Sequence, residues 1–232
     1  MIRWNLLKCV LIILVMFHPL CIFAEKTLVV ATSADPGHLN PGITTGYNVH
    51  VFADSIYSGL IMLNKDLKPE PDLAESWLIS EDAKVFTFNI RKNAKWHDGK
   101  SVTSEDVKYT FENVLFKYHS RTKSGLGKKV KRILTPNPKK VIFELKNSYS
   151  PMITRLNVTE APILPKHIFS SGDPNDHPAN LKPIGSGPFR FLEYVKGEKV
   201  ILEKNNNFYI DGLPHFDTVS YTHLRAHETS EN

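Results

Sequence analysis

The chain has 232 residues, of which 41% are hydrophobic, and it carries 29 basic and 24 acidic side chains for a formal net charge of +5. A chain of this size and composition buries enough apolar surface for one or two folded domains. Without the first 24 residues, which include Arg3 and Lys8, the balance is 27 basic against 24 acidic residues. This near balance argues against a nucleic-acid partner.

The first 24 residues have the pattern of a signal peptide. Arg3 and Lys8 precede an apolar run at Val10–Phe17, and Ile22-Phe23-Ala24 fits a cleavage site before the next residue. An uncleaved membrane anchor is a second interpretation, although the apolar run is short for a bilayer span. Lipoprotein processing at Cys21 is a third, and it would leave the protein attached to a membrane.

Both cysteines, Cys9 and Cys21, lie in this segment, so the secreted part must fold without a disulfide.

The first predicted element after the signal peptide is a strand at Thr27–Thr32, which opens into a loop rich in proline and glycine at residues 33–42. A helix is predicted over Asn48–Gly59, because Val49, Phe52, Ile56 and Leu60 recur on one side. The proline-rich link Lys65–Asp72 follows, and we place the first lobe boundary there.

The middle of the chain has the clearest local pattern. Val85–Ile90 alternates with Phe86, Phe88 and Ile90 on one face, which predicts a half-buried strand. Asp98-Gly99 then predicts a tight turn with Gly99 at positive φ, and Thr103 with Asp106 predicts a capped helix start. The helix that follows should bury Val107, Phe111, Val114 and Leu115.

A basic stretch follows this helix, since residues 113–143 contain no acidic side chain. It fits either a nucleic-acid or anionic-lipid patch or a solvated lobe surface balanced elsewhere, and the overall near neutrality favours the solvated surface. Within it, residues 118–127 are polar and punctuated by glycine, which predicts a loop.

Further strands and turns are predicted in the last hundred residues. Val141–Leu145 alternates and should pair with Val85–Ile90, and Ser150-Pro151 should open a short helix with Ser150 as its cap. The glycines of Pro183–Phe189 would let the backbone cross between lobes where no side chain fits. A hairpin is predicted from Phe189–Tyr194 and Lys199–Lys204, and Phe216–Tyr221 begins the next strand.

Several ordered motifs resemble the family 5 extracellular solute-binding proteins, the dipeptide, oligopeptide and nickel-chelate receptors of ABC importers. They are Leu73-Ala74-Glu75-Ser76-Trp77, Phe86–Arg91, Trp96-His97-Asp98-Gly99, Thr103-Ser104-Glu105-Asp106-Val107 and Pro183-Ile184-Gly185-Ser186-Gly187-Pro188-Phe189. The resemblance implies an α/β protein with a periplasmic-binding-protein-like fold (type II, class C). Lobe I would be partly present, lobe II complete and lobe III missing.

The resemblance also implies the domain limits. Residues 25–65 and 183–219 would form an incomplete lobe I, and residues 66–182 would form lobe II. Residues 220–232 show no core pattern and look like translated adapter sequence, so we expect a non-native or disordered tail. We also expect an unpaired sheet edge in lobe I and only weak binding of a solute by this chain alone.

The implied function is an extracytoplasmic receptor that delivers a peptide or related small solute to ABC transporter permease subunits by hinge closure. It would lie in the periplasm or outside the cell. A secreted hydrolase or accessory enzyme module is the alternative, and a chaperone or adhesion protein is a third. An enzyme is not favoured, because the sequence has no Gly-x-Ser-x-Gly or His-Glu-x-x-His motif. The histidines lack metal-ligand spacing, so neither a metal nor a cofactor is expected.

The resemblance supplies the candidate ligand-binding residues. The loop after the first strand lines the ligand cleft in this family, which points to Ser33, Ala34, Asp35 and His38. His50 aligns with a ligand-contacting position of the nickel-chelate branch, and Arg121 with an arginine that holds a ligand carboxylate there. We expect these residues to face the space between the lobes. His97 and Asp98, by contrast, are expected to serve their turn.

Overall fold

The computed structural model describes residues 25–223, so the predicted signal peptide and residues 224–232 lie outside the described residues. Ten strands are present in this part of the chain. They are β1 (Thr27–Thr32), β2 (Ile61–Leu63), β3 (Pro69–Pro71), β4 (Ala74–Ile79), β5 (Val85–Ile90), β6 (Val130–Asn137), β7 (Lys140–Leu145), β8 (Phe189–Val195), β9 (Lys199–Lys204) and β10 (Thr218–His223).

The first sheet has the strand order β1-β10-β9-β8, with β1 parallel to β10 and the other pairs antiparallel. The predicted first strand and the β8–β9 hairpin are confirmed. β1 lies at the edge of this sheet, as expected, and Val29 on it is 64% exposed. β10 reaches His223 and Tyr221 is buried, so residues 220–223 belong to the sheet and the predicted tail boundary at 219 was wrong.

The second sheet is fully antiparallel, in the order β4-β5-β7-β6. The alternation of β5 is confirmed, because Phe86, Phe88 and Ile90 are buried while the residues between them are half-buried. The predicted pairing of β5 with β7 is also confirmed, with Phe86 opposite Phe143. A two-stranded ribbon, β2 with β3, connects the two sheets along the chain.

The helical segments are short. They comprise α-helical Tyr47–His50, Ala53–Ile56, Ser104–Tyr109, Ser120–Thr122 and Lys166–Phe169, 3₁₀ segments Pro41–Ile43, Ser150–Leu156 and Pro178–Asn180, and π-helical Thr110–Leu115 and Lys123–Gly127. Within residues 25–223, none of the helices has the length and apolar character needed to cross a membrane.

Three helix predictions need correction. The helix predicted over Asn48–Gly59 is two short pieces that end at Ile56, although the side chains predicted on its inner face are buried. The loop predicted over residues 118–127 contains helical turns. Ser150 does not cap its helix, because Tyr149 occupies the N-cap position and makes no side-chain cap bond.

The predicted capped helix is confirmed, with a capping box between Thr103 and Asp106. The Asp106 carboxylate accepts from Thr103 N at 2.8 Å and from Lys166 N at 2.9 Å. Thr110 Oγ1 donates to the Asp106 carbonyl and accepts from Leu164 N. The capped helix and its π-helical continuation therefore hold the segment around residues 164–166 through polar contacts as well as packing.

Two hydrophobic cores underlie the two sheets. The core of the second sheet includes Phe88, Phe111 and Phe143, and the core of the first includes Phe52, Leu202 and Val219. Each core also takes side chains from the sequence that we assign to the other lobe: Val114 and Leu164 in the first sheet's core, and Tyr209 in the second's. The division into lobes I and II stays our interpretation, and the two share a packed boundary.

The backbone at Gly185 and Gly187 runs directly against the end of the Ala53–Ile56 helix. A Cβ at Gly185 would lie 1.8 Å from the Ile56 carbonyl oxygen, and one at Gly187 would lie 2.7 Å from the Ile56 carbonyl carbon. Gly187 N donates to the Ile56 carbonyl at 2.9 Å. This confirms that no side chain fits at these glycines, while the crossing of this segment between the lobes stays a prediction.

His97 binds the same two glycines from the other lobe. Its ring Nδ1 accepts from Gly185 N at 3.2 Å, its Nε2 donates to the Gly187 carbonyl at 3.0 Å, and its backbone N donates to the Gly185 carbonyl at 2.8 Å. We call this set, Ile56 with His97, Gly185 and Gly187, the glycine junction. His97 thus does more than serve its turn, while Gly99 has the predicted positive φ of 87°.

Gly185→Ala should destabilise the protein by more than about 3 kcal/mol, the upper range for overpacking a filled site, because the new methyl group meets backbone that cannot move aside. Gly127→Ala is the matched control, since its Cβ would be 3.6 Å from the Phe116 ring. Urea unfolding of both variants measures the difference. Equal stability of the two variants would show that the junction is not tightly packed.

The burial of His97 should make the free energy of unfolding depend on pH. Burial lowers the pKa of His97 from 6.5 to about 4, so the unfolded chain binds a proton more readily than the folded one. The histidine therefore stabilises the fold above pH 6.5, and this contribution is lost as pH falls from 6.5 to about 4. The full loss is about 3 kcal/mol.

The measurement compares His97→Ala with the parent chain by urea unfolding at several pH values. The comparison is needed because burial raises the pKa of Asp72 to about 6, which gives a pH dependence of opposite sign. We expect the stability difference between variant and parent to be largest near pH 7 and to shrink toward pH 4. A difference that does not change with pH would contradict the assignment.

Candidate functional site

The candidate site lies where the start of the Tyr47–His50 helix meets the helical turns after residue 118. Thr45 Oγ1 and Ser120 Oγ are 3.2 Å apart, which joins the two segments at the surface. The rings of His50 and His119 meet edge to face with centroids 5.5 Å apart. We call His50, His119 and Arg121 the cleft cluster.

His50 is a neutral ring with one free acceptor. Its Nε2 lies 2.9 Å from the Thr44 carbonyl, which can only accept, so Nε2 carries the proton. Its Nδ1 is buried and has no hydrogen-bond partner among residues 25–223. Burial is the largest influence on the pKa of His50 and lowers it, and the positive charge of Arg121 lowers it as well. The hydrogen bond to the Thr44 carbonyl and the carboxylates of Asp54 and Glu160 raise this pKa, but they do not offset the decrease.

His119 is held more tightly than His50. Its Nδ1 lies 2.7 Å from Thr122 Oγ1 and caps the turn that begins at Ser120. Its Nε2 is buried and lacks a partner within the described part of the chain. The pKa of His119 is lowered to about 3, mainly by burial, with smaller contributions from the neighbouring His50 and Arg121. Both rings of the cluster are therefore uncharged near neutral pH.

Arg121 is exposed, and its charge reaches both histidines. Glu160, one of the two carboxylates whose charge acts on His50, is bound by Arg155 Nη1 at 3.0 Å. The structure thus brings two of the predicted site residues, His50 and Arg121, into one cluster. That cluster combines an exposed guanidinium with a buried imidazole acceptor that its charge reaches.

The loop after β1 reaches the same helix from another side. Asn48 Nδ2 donates to the Asp35 carbonyl at 3.1 Å, while Ser33 and Ala34 are exposed. The Asp35 carboxylate is bound by the Tyr194 hydroxyl and by Gly197 N of the β8–β9 hairpin, as well as by Gly37 N at 2.7 Å. The Asp35 side chain therefore anchors the loop.

His38 lies at the end of this loop with its ring half-buried. Its Nδ1 accepts from Asn40 N at 3.2 Å, and burial lowers its pKa. No contact between His38 and the cleft cluster is present in the described structure, so its role as a ligand-binding residue stays a prediction.

His119 was not among the site residues predicted from the sequence. The signal that could have found it is its position directly before Ser120, because histidine with a polar residue at a helix start can serve as a cap. The approach of His119 to His50 depends on tertiary packing. Local sequence does not show it.

A cavity lies between the two lobes, and none of the three residues of the cleft cluster lines it. It has a volume of about 460 Å³ and mostly apolar walls, with Asp72 and Tyr57 among its lining residues. The Asp72 carboxylate is bound by the Tyr209 hydroxyl and by Gly59 N at 3.1 Å. Among the described residues, no group of three or more His, Cys, Asp or Glu side chains could hold a metal ion.

Comparison with known proteins gives a consistent family assignment. Residues 68–231 match the family described as bacterial extracellular solute-binding proteins, family 5 Middle. The chain is similar to the oligopeptide-binding protein AppA of Bacillus subtilis, with 31% identity over 84% of this chain and 36% of the relative. It is also similar to DdpA of Escherichia coli, a probable D,D-dipeptide-binding periplasmic protein, with 32% identity over 84% of this chain and 39% of the relative.

Solved structures of similar proteins support the same fold. AgaA of A. tumefaciens R10 in complex with agropinic acid has a TM-score of 0.78 at 34% identity, covering 85% of this chain and 40% of that one. NikZ of Campylobacter jejuni in complex with Ni(L-His) has a TM-score of 0.76 at 27% identity, covering 87% of this chain and 40% of that one. The chain therefore spans between a third and two-fifths of the length of such relatives, and the fold is a partial type II periplasmic-binding-protein fold.

Arg121→Gln should raise the pKa of both His50 and His119, because it removes a positive charge that disfavours their protonation. The measurement is an NMR titration of the ring Cε1–H signals, assigned with His50→Gln and His119→Gln. Lys128→Gln is the matched control, since it removes a basic side chain elsewhere in the same stretch. Unchanged pKa values in Arg121→Gln would separate Arg121 from the cluster.

Proposed function

Because the chain belongs to the bacterial extracellular solute-binding proteins of family 5, we propose that it forms part of a receptor that binds a short peptide outside the cytoplasm. The observation that carries this proposal is the cleft cluster, where the uncharged pair His50 and His119 lies beside the guanidinium of Arg121. A neutral pair next to one cation suits a ligand that carries both a carboxylate and N–H groups.

Each group of the cluster has a partner on a peptide. Arg121 would pair with a carboxylate of the ligand, because a guanidinium presents two parallel N–H donors to the two carboxylate oxygens. His50 Nδ1 would accept from a ligand N–H, which would give this buried acceptor a partner. The exposed backbone at Ser33 and Ala34 would supply further hydrogen bonds of the kind that do not depend on side-chain identity.

The solute class follows from the relatives. The curated relatives AppA and DdpA are named for oligopeptide and D,D-dipeptide binding, and the AppA structure holds a nonapeptide. Agropinic acid and Ni(L-His) in other structures show that the fold also takes other small solutes. We propose a short peptide with a free carboxyl terminus for this chain. The hydrolase alternative has no observation in its favour.

The whole receptor would work with the permease subunits of an ABC importer and would lie in the periplasm or outside the cell. Ligand bound between lobe III of the whole receptor and the unit formed by lobes I and II would favour a closed arrangement through contacts absent from the open one. Residues 1–24 would direct the chain across the membrane, and Cys21 would anchor it if it is lipidated. The post-β1 loop and the cleft cluster would supply this chain's share of the peptide contacts.

The test is NMR-detected titration of the full chain with di- to pentapeptides, each in free-acid and C-terminally amidated form. We expect free-acid peptides to shift the His50 and His119 ring signals and amidated ones to bind at least about tenfold more weakly, as expected for loss of a charge-assisted pair. Arg121→Gln should remove this preference, while Lys128→Gln should keep it. Equal binding of both peptide forms to the parent chain would overturn the proposal.

A further inference from the structure

A small polar cavity lies on the boundary between the lobes, beside the glycine junction. Its volume is about 210 Å³. One wall comes from the turn that contains Lys95, Trp96 and His97, and the other from Arg190 on β8 together with Asn206 and Asn207 after β9. We call it the junction cavity. Because its walls come from both lobes, anything bound in it touches both.

The charged side chains that line the junction cavity are all of one sign. Lys95 and Arg190 contribute cations, and Asn206 and Asn207 contribute amide groups that can donate. No carboxylate is among the lining residues. Arg190 contacts Glu203 Oε1 through Nε at 2.9 Å, and a guanidinium has five donors, so one such contact leaves most of its donors for another acceptor.

Trp96 adds an unpaired buried donor to the same wall. Its side chain is 2% exposed, and its indole Nε1 has no hydrogen-bond partner within residues 25–223. Its backbone is fixed on both sides, because Trp96 N donates to the Lys100 carbonyl and the Trp96 carbonyl accepts from Gly99 N, each at 2.8 Å. A buried N–H without an acceptor costs free energy, and this N–H belongs to a residue that lines the cavity.

We propose that the junction cavity binds a small oxyanion, either an inorganic ion such as phosphate or the phosphate or carboxylate group of a larger solute. Two cations supply charge, the guanidinium fork matches oxyanion geometry, and the amides of Asn206 and Asn207 add donors in a cavity that no carboxylate lines. The site shares no residue with the cleft cluster, so it does not rest on the proposed function.

The bound anion would also act on the glycine junction. His97 lines the cavity, and its ring is fixed by Gly185 N and the Gly187 carbonyl. Arg190 lies close enough for its charge to act on His97. An anion between Lys95 and Arg190 would therefore link the two walls beside that contact, and a ligand that binds only the folded chain raises its stability.

The test uses the full chain and inorganic phosphate, titrated at constant ionic strength with chloride as the balancing anion. The readout is the indole N–H signal of Trp96 in ¹H–¹⁵N NMR spectra, assigned with Trp96→Phe. Lys95→Gln and Arg190→Gln each remove one cation, and Arg190→Lys keeps the charge without the fork. Lys131→Gln is the control, because it removes an exposed lysine that does not line the cavity.

We expect a saturable shift of the Trp96 indole signal, with affinity at least about tenfold weaker in Lys95→Gln and Arg190→Gln and unchanged in Lys131→Gln. The phosphate affinity of Arg190→Lys should lie between that of the parent chain and that of Arg190→Gln. Absence of a saturable shift, or equal weakening in all three Lys→Gln and Arg→Gln variants, would overturn the proposal, since the latter indicates diffuse screening.

Two further titrations distinguish the sources of the anion. Methyl phosphate that binds as well as inorganic phosphate would indicate the phosphate group of a larger solute, and acetate that binds equally would indicate a carboxylate. Binding of inorganic phosphate alone would assign the site to the free ion. All three results support an oxyanion site in the junction cavity, and failure of all three anions to bind would overturn it.

Discussion

The contact of His97 with the backbone of Gly185 and Gly187 is the constraint on which the arrangement of the two sheets depends. The ring bridges an N–H and a carbonyl two residues apart, and the backbone N–H of the same histidine bonds to Gly185. Both glycines must lack side chains, because Ile56 already occupies the space on the other side. One turn of lobe II, one crossover segment and one helix end of lobe I therefore fix each other's positions.

Another polar contact between the lobes is built from different chemistry. The buried Asp72 carboxylate, in the link between the sheets, accepts from the Tyr209 hydroxyl, and Arg91 Nε donates to the Asp72 carbonyl at 2.7 Å. The Arg91 guanidinium also lies 5.7 Å from the centroid of the Tyr209 ring. Together with the shared cores, these contacts hold lobes I and II against each other.

Local structure was largely predictable from the sequence, and the site was predictable only in part. The alternation of β5, the capping box at Thr103 and the positive φ of Gly99 depend on residues close in sequence, so their patterns could be recognised. The bonds of His97 to the glycines span 88 and 90 residues, and no local pattern shows them. The approach of His119 to His50 was missed for the same reason.

The errors have physical causes as well. The helix predicted to run to Gly59 ends at Ile56, because the Ile56 carbonyl bonds to Gly187 N instead of continuing the helix. The polar residues 118–127 were predicted as a loop, but His119 caps a turn and Leu126 is buried in the core, so tertiary contacts stabilise helical turns there. The start of the predicted tail at residue 220 was placed too early, because pairing with β1 extends β10 to His223.

Native-state hydrogen exchange of the junction amides tests the account most directly. The amides to follow are His97 N, which bonds to Gly185, and Gly187 N, which bonds to Ile56; Leu145 N, which bonds to Lys84 within lobe II, is the reference. If the lobes are locked at the glycine junction, all three should exchange with the free energy of global unfolding. Exchange of the two junction amides with a distinctly lower free energy than Leu145 would show that the lobes separate before either unfolds, and would contradict the account.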